Sequence, residues 1–175
     1  MNNYFFDPLF LVTVAKLSLA MILGLLLGLE RVYAHKTAGM RTYALASVAT
    51  CFFVIISLHI GAFIANPGDS FSPAQIAAAV ITGIGFLGAG LIFFKDDHVQ
   101  NLTTAAGLWM CAGIGMAVGF GMFREAVFAS VLTFFVLGIL TFFERYVRLR
   151  FFPDPVFEKE EKITRTRTRK KPLLK

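Results

Sequence analysis

Charge is what this chain has least of. Only 16% of its 175 residues are Asp, Glu, Lys or Arg, whereas 57% are apolar or aromatic and 20 are Phe, for a mean hydropathy of +0.69. A water-soluble globule of this size has no interior large enough to hide so much apolar surface. Cysteine is nearly missing as well. Cys51 and Cys111 are the only two, both inside apolar runs, which excludes a disulfide-stapled secreted scaffold and reads as small packing residues. No His/Cys spacing fits a zinc site and no Ser/His/Asp, Cys/His or HExxH grouping occurs, so no enzymatic activity, metal or cofactor is read from the sequence. Carboxylates are absent from the middle of every long apolar run, where proton-coupled pumps and divalent-cation pathways usually keep one. Positive charge has no general surplus either: six basic and six acidic residues cancel up to Phe143, while eleven basic and five acidic residues follow. That distribution excludes a uniformly basic nucleic-acid binder.

Long apolar runs are what is present. Five of them, about residues 8–29, 42–65, 73–94, 102–121 and 126–143, are long enough to cross a bilayer as helices, which takes roughly 20 apolar residues. They lack the alternation of a barrel, and open strands leave unpaired backbone groups in lipid. The sequence therefore predicts an all-α polytopic membrane protein, with a five-helix domain over 1–143 and a basic juxtamembrane segment and disordered tail over 144–175. Ser72 with Pro73 reads as a cap and first-turn proline, Asn101 as a cap for the fourth span, and Asn66, Pro67 and Gly68 as the close of the second. Arg31, Lys36 and Arg41 lie in the first loop, Lys95 in the third and most of the basic residues in the tail, so these regions share the cytoplasmic side and the N-terminus lies outside. Residues 1–8 carry no basic n-region and no cleavage pattern follows, so the first span reads as retained.

Small residues recur at helical spacing: Ala20, Gly24 and Gly28 in the first span, Gly115 and Gly119 in the fourth, and Gly83, Gly85, Gly88 and Gly90 in the third. Such stripes let helices pack closely, within one subunit or across a homodimer. The third run, GIGFLGAG, also permits a sharper reading, a broken or hinged helix lining a site with its backbone. Its likeness to a dinucleotide fingerprint is rejected, because no strand precedes it. Lys16 lies about 12 Å inside the first span and reads first as a snorkelling cation. His59 reads as interfacial. Hydroxyls at Thr82, Thr103 and Thr104 leave ion conduction open, and Trp109 sits at a depth suited to packing.

The loop from Glu30 to Arg41, with His35 and Lys36, either sets topology or forms a docking surface, Gly39 supplying a positive-φ turn. Past Pro153 and Pro155 the tail alternates Thr with Arg and ends in Lys, a pattern for anionic lipid headgroups rather than nucleic acid.

Three blocks together resemble the MgtC/SapB family of bacterial inner-membrane proteins. They are Glu30 and Arg31 with Lys36, Ala38, Gly39, Arg41 and Thr42; Ile76 to Ala78 leading into Thr82 to Ile92; and Leu102 to Ala106 with Leu108 and Trp109, then Ile114, Gly115 and Gly119. The resemblance implies a five-span inner-membrane domain linked to growth in low magnesium, stress adaptation and virulence. It also implies regulation of other membrane machinery, the ATP synthase included, rather than magnesium transport. Val32 stands where the family usually has a second acid. Ser72, Gln75 and Ala79 replace an Asp, Arg and Gln pattern ahead of the glycines, and Asn101 replaces a Gly, so charge is lost around the outer end of the third span. The 32 residues after the last span are too few and too polar for the folded regulatory domain of some members, so the sequence is expected to resemble the membrane-only subgroup. The leading expectation is a non-enzymatic regulator that binds another membrane complex through its charged loop and glycine-rich helices. The alternative is a small ion transporter or channel built around a broken third helix.

Overall fold

A computed structural model describes residues 7–64, 72–95, 98–140, 143, 146–147 and 150. Five helices of membrane-spanning length and composition account for nearly all of them: α1 (Pro8–Tyr33), α2 (Met40–Ile64), α3 (Pro73–Leu91), α4 (Leu102–Gly119) and α5 (Phe123–Phe135), the last continuing into a π-helical turn, Val136–Leu140. Many of the outward-facing side chains are apolar, Phe86, Leu45, Phe128 and Val131 among them, as hydrocarbon contact requires. The chain divides into two units after Leu137. In the second, residues 138–140 complete the π turn and residues 143, 146–147 and 150 are helical. The predicted tail beyond residue 150, and the close of the second span at Asn66 to Gly68, lie outside the described residues.

Helix ends follow local chemistry. The Asp7 side chain accepts from Leu9 N and the Ser72 side chain from Ala74 N, each with a proline in the first turn of its helix. α1 stops in a Schellman motif: Lys36 N donates to Arg31 O and His35 N to Val32 O, with His35 in the left-handed region at φ 54°. The positive-φ position predicted at Gly39 therefore belongs to His35; Gly39 instead makes room for Val32, whose Cγ2 would lie 2.8 Å from an added Cβ. α4 ends the same way at Gly121, φ 83°, with Met122 N donating to Ala117 O and Gly121 N to Val118 O. Asn101 does not cap α4 through its side chain. Its backbone is left-handed, and its Nδ2 donates to Leu91 O at 3.2 Å, tying the end of α3 to the start of α4.

α2 begins two residues before its predicted start, which puts Arg41 in its first turn rather than in the loop, and α4 ends two residues short at Gly119; three other boundaries differ by three residues or more. α1 runs four residues past its predicted end, so Glu30 and Arg31 belong to its last turn. α3 stops at Leu91, and Phe93–Lys95 pairs antiparallel with His98–Gln100 as a short hairpin. α5 begins at Phe123, which puts Arg124 and Glu125 in its first turn rather than in the preceding turn.

α4 is the central helix, with α1, α2, α3 and α5 all packed on it. α1 and α2 form an antiparallel hairpin in which Gly28 faces Met40 and Gly24 faces Ala44. α2 and α4 run parallel, since Tyr43 meets Thr104 and Gly107, Thr50 meets Ala112, and Val54 meets Gly119. That is the arrangement left once α3 has returned the chain to its starting side.

Candidate functional site

The polar groups inside the bundle lie along the seams where α1, α2 and α5 meet each other and α4. At one end Arg31, 1% exposed, donates from Nε to Glu30 Oε2 and from Nη2 to Leu137 O at 3.0 Å. A π turn displaces the regular carbonyl ladder, and the Leu137 carbonyl it offers carries this bond. A guanidinium suits the position because it donates in several directions and keeps its charge when desolvated. One turn into α2, fully buried Tyr43 donates from its hydroxyl to Thr104 O at 3.0 Å. Gly107 makes the seat: a Cβ there would stand 2.5 Å from the Tyr43 oxygen.

Further along, Cys111 Sγ donates to Tyr43 O at 3.3 Å, and Thr50 Oγ1 reaches Ala112 O at 2.9 Å. Gly115 and Gly119 admit α2 at this level. An added Cβ would overlap the Ser47 carbonyl at Gly115 and lie 2.9 Å from Cys51 O at Gly119. The Ser47 and Ser57 hydroxyls are buried without a hydrogen-bond partner among the described residues. At the far end Lys16 Nζ donates to Gly119 O at 2.8 Å. The Schellman turn occupies the carbonyls of Ala117 and Val118 but not that of Gly119, and a cation at a helix C-terminus meets the negative end of the dipole. Lys16 is thus fixed within the bundle rather than simply reaching out of it.

The predicted site residues separate into two groups. Glu30, Arg31, Thr104 and Gly39 are drawn into the packed interior or its edge, with Tyr43 and Gly107 as partners that the sequence reading did not single out. Arg31 in particular is buried and bonded to Leu137, so it is no docking side chain. Lys36, Arg41 and Thr42 are exposed, as is His35, and together they form the charged surface at this end. Thr103 is exposed beside buried Thr104, and Thr82 bonds back to Ala78 O on its own helix.

The glycine run of α3 is not a break. The helix is continuous through it; Gly83, Gly85 and Gly90 have nothing within 4 Å of an added Cβ, and Gly88 makes ordinary contact with Ala105. The stripes on α1 and α4, by contrast, are used up inside the subunit, which removes them as homodimer faces. Trp109 is 51% exposed instead of packed away, and it borders an apolar cleft of about 80 Å³ between α3 and α4, along with Val80, Ile81, Ile84 and Met116. Among the described residues no group of three or more His, Cys, Asp or Glu is placed to hold a metal.

Comparison with known proteins matches this sequence to one family. Residues 17–146 match the MgtC family. The chain is 41% identical over 128 residues to protein MgtC of Brucella abortus (strain 2308), an alignment covering 73% of this chain and 51% of that one. It is 38% identical over 127 residues to YhiD of Escherichia coli K12, covering 72% and 59%, and 36% identical over 163 residues to protein SapB of Bacillus subtilis 168, covering 92% and 67%. The chain thus spans between about half and two thirds of the length of these relatives. No solved structure matches it. With the three sequence blocks gathered around α4 and the family match running through all five helices, this chain belongs to the MgtC family of multi-pass bacterial inner-membrane proteins.

Proposed function

We propose that the protein is a non-enzymatic regulator in magnesium-related physiology that binds another membrane complex through the exposed cations of its α1–α2 loop and the first turn of α2, on the cytoplasmic side. The magnesium link comes from the Escherichia coli K12 relative, which is named as a candidate magnesium transporter. The observation carrying the reading is how the seam is closed. Lys16, Arg31, Tyr43, Thr50 and Cys111 all donate to carbonyls of neighbouring helices, so these donors serve cohesion and not a passage. The same cohesion gives the loop a rigid base. Arg31 clamps α1 to Leu137 while the Schellman turn that closes on its own carbonyl presents Lys36, and Arg41 lies in the first turn of α2. Exposed cations on a fixed frame favour recognition of an acidic surface more than a mobile loop would, because less freedom is lost on binding.

The partner implied by resemblance, the membrane ATP synthase, sets the test. Co-reconstituted with purified ATP synthase, the protein should lower ATP-driven proton pumping, and the double variant Lys36→Glu/Arg41→Glu should restore it. Pumping unaffected by the wild-type protein would refute the choice of partner. The transport reading has lost its broken helix, and protein alone in liposomes should be no leakier to Mg²⁺ than empty vesicles. Flux above that baseline would overturn the regulatory reading.

A further inference from the structure

The two ends of the bundle are not alike. At the Arg31 end α2 and α4 begin near one level, since Tyr43 faces Thr104, and α1 runs only five residues past the Gly28 that faces Met40. At the other end the three do not share a level. α4 stops at Gly119, level with Lys16 and Val54, whereas α1 extends eight residues past Lys16 to Pro8 and α2 ten residues past Val54 to Ile64. At 1.5 Å per residue the first two helices overshoot the α4–α5 turn by about 12 and 15 Å. The overshooting part of α1 is apolar and outward-facing, with Leu9, Leu11 and Val12 each more than half exposed, and so it belongs in hydrocarbon. Yet α5, opening four residues past the α4 end, carries exposed Arg124 and Glu125 in its first turn, and these belong at a polar boundary. The membrane surface therefore steps down from α1 and α2 toward the α4–α5 turn, and Lys16 stands at the foot of the step.

Lys16 is only partly buried, and the one ion pair among the described residues is Arg31 with Glu30. An ammonium has three donors, and Gly119 O takes one of them, holding the nitrogen in place. We propose that the other two bind the phosphate of a phospholipid headgroup drawn down into the step. A headgroup phosphate supplies both the counter-charge and the further acceptor oxygens that Lys16 does not find among the described residues, at a level the headgroups of that leaflet reach on the α5 side. This is a lipid site at the end opposite the charged loop and separate from the regulatory reading.

Native mass spectrometry of the detergent-purified protein with added phosphatidylglycerol tests it. Wild type should retain one lipid that Lys16→Met binds roughly tenfold more weakly or worse, with Lys16→Arg close to wild type. Millimolar glycerol phosphate should fail to displace that lipid; displacement would assign the site to a soluble phosphate and overturn the lipid proposal. Equal retention by a folded Lys16→Met variant would also overturn it. Should that variant fail to fold, amine labelling of wild type decides: Lys16 should be protected in phosphatidylglycerol nanodiscs and labelled in nanodiscs of a phosphate-free glycolipid. Equal labelling in the two refutes the site.

Discussion

At the scale of single residues, Arg31 and Tyr43 show how differently two buried polar groups contribute. Arg31→Ala leaves Glu30 desolvated without its cation and removes the donor to Leu137 O, a loss of about 3–5 kcal/mol. Tyr43→Phe keeps the ring volume and deletes one neutral hydrogen bond to Thr104 O, a loss of about 1 kcal/mol. Thermal unfolding in detergent should order the variants as wild type, Tyr43→Phe, Arg31→Ala, with the second gap the larger. An Arg31→Ala protein as stable as Tyr43→Phe would show that the π-turn contact carries no weight. The sequence marked Glu30 and Arg31 as a pair but placed them in a loop, because charge next to a long apolar run normally ends the helix. What it lacked was the partner, a backbone carbonyl 106 positions away that no side-chain pattern announces.

At the scale of helices, the glycines sort by what they face. On α4, Gly115 and Gly119 lie against α2 backbone, and on α3, Gly83, Gly85 and Gly90 face open space. Alanine at the α4 positions should cost about 1–3 kcal/mol or more through overpacking. Alanine at Gly83 or Gly90 should be neutral or stabilising by up to about 1 kcal/mol, since it strengthens the helix and meets nothing. Unfolding midpoints of the single variants check the sign at each site; a destabilising Gly83→Ala would mean that α3 has a packing partner in the membrane. From spacing alone these runs look alike, and the densest one is the least packed. Helix existence was readable throughout because apolar length decides it. The hairpin pairing Phe93–Lys95 with His98–Gln100 was not, as Phe93 and Phe94 continue the apolar character of α3.

At the scale of the whole molecule, the fold class and the family were legible in length, hydropathy and three sequence blocks, while the parallel contact of α2 with α4 was not, since short loops speak only for consecutive neighbours. The lone tryptophan offers a check on the assembled bundle. Trp109 lies seven residues into α4, roughly 10 Å from its start, and is half exposed on the α3 side. Its emission should be quenched by lipids brominated on mid-chain carbons and hardly at all by aqueous acrylamide. The reverse pattern would put α4 at a water-filled surface and contradict a lipid-facing α3–α4 cleft.

The parallel union of α2 and α4 also sets an order for biosynthesis. A ribosome that has released α1 and α2 into the lipid has already supplied what their hairpin needs. The hydroxyl of Tyr43, however, must wait for its acceptor on α4, which arrives only after α3 has been threaded back across. Nascent chains arrested before residue 102 should accordingly be held by the insertion machinery, or degraded, longer than chains arrested past residue 119.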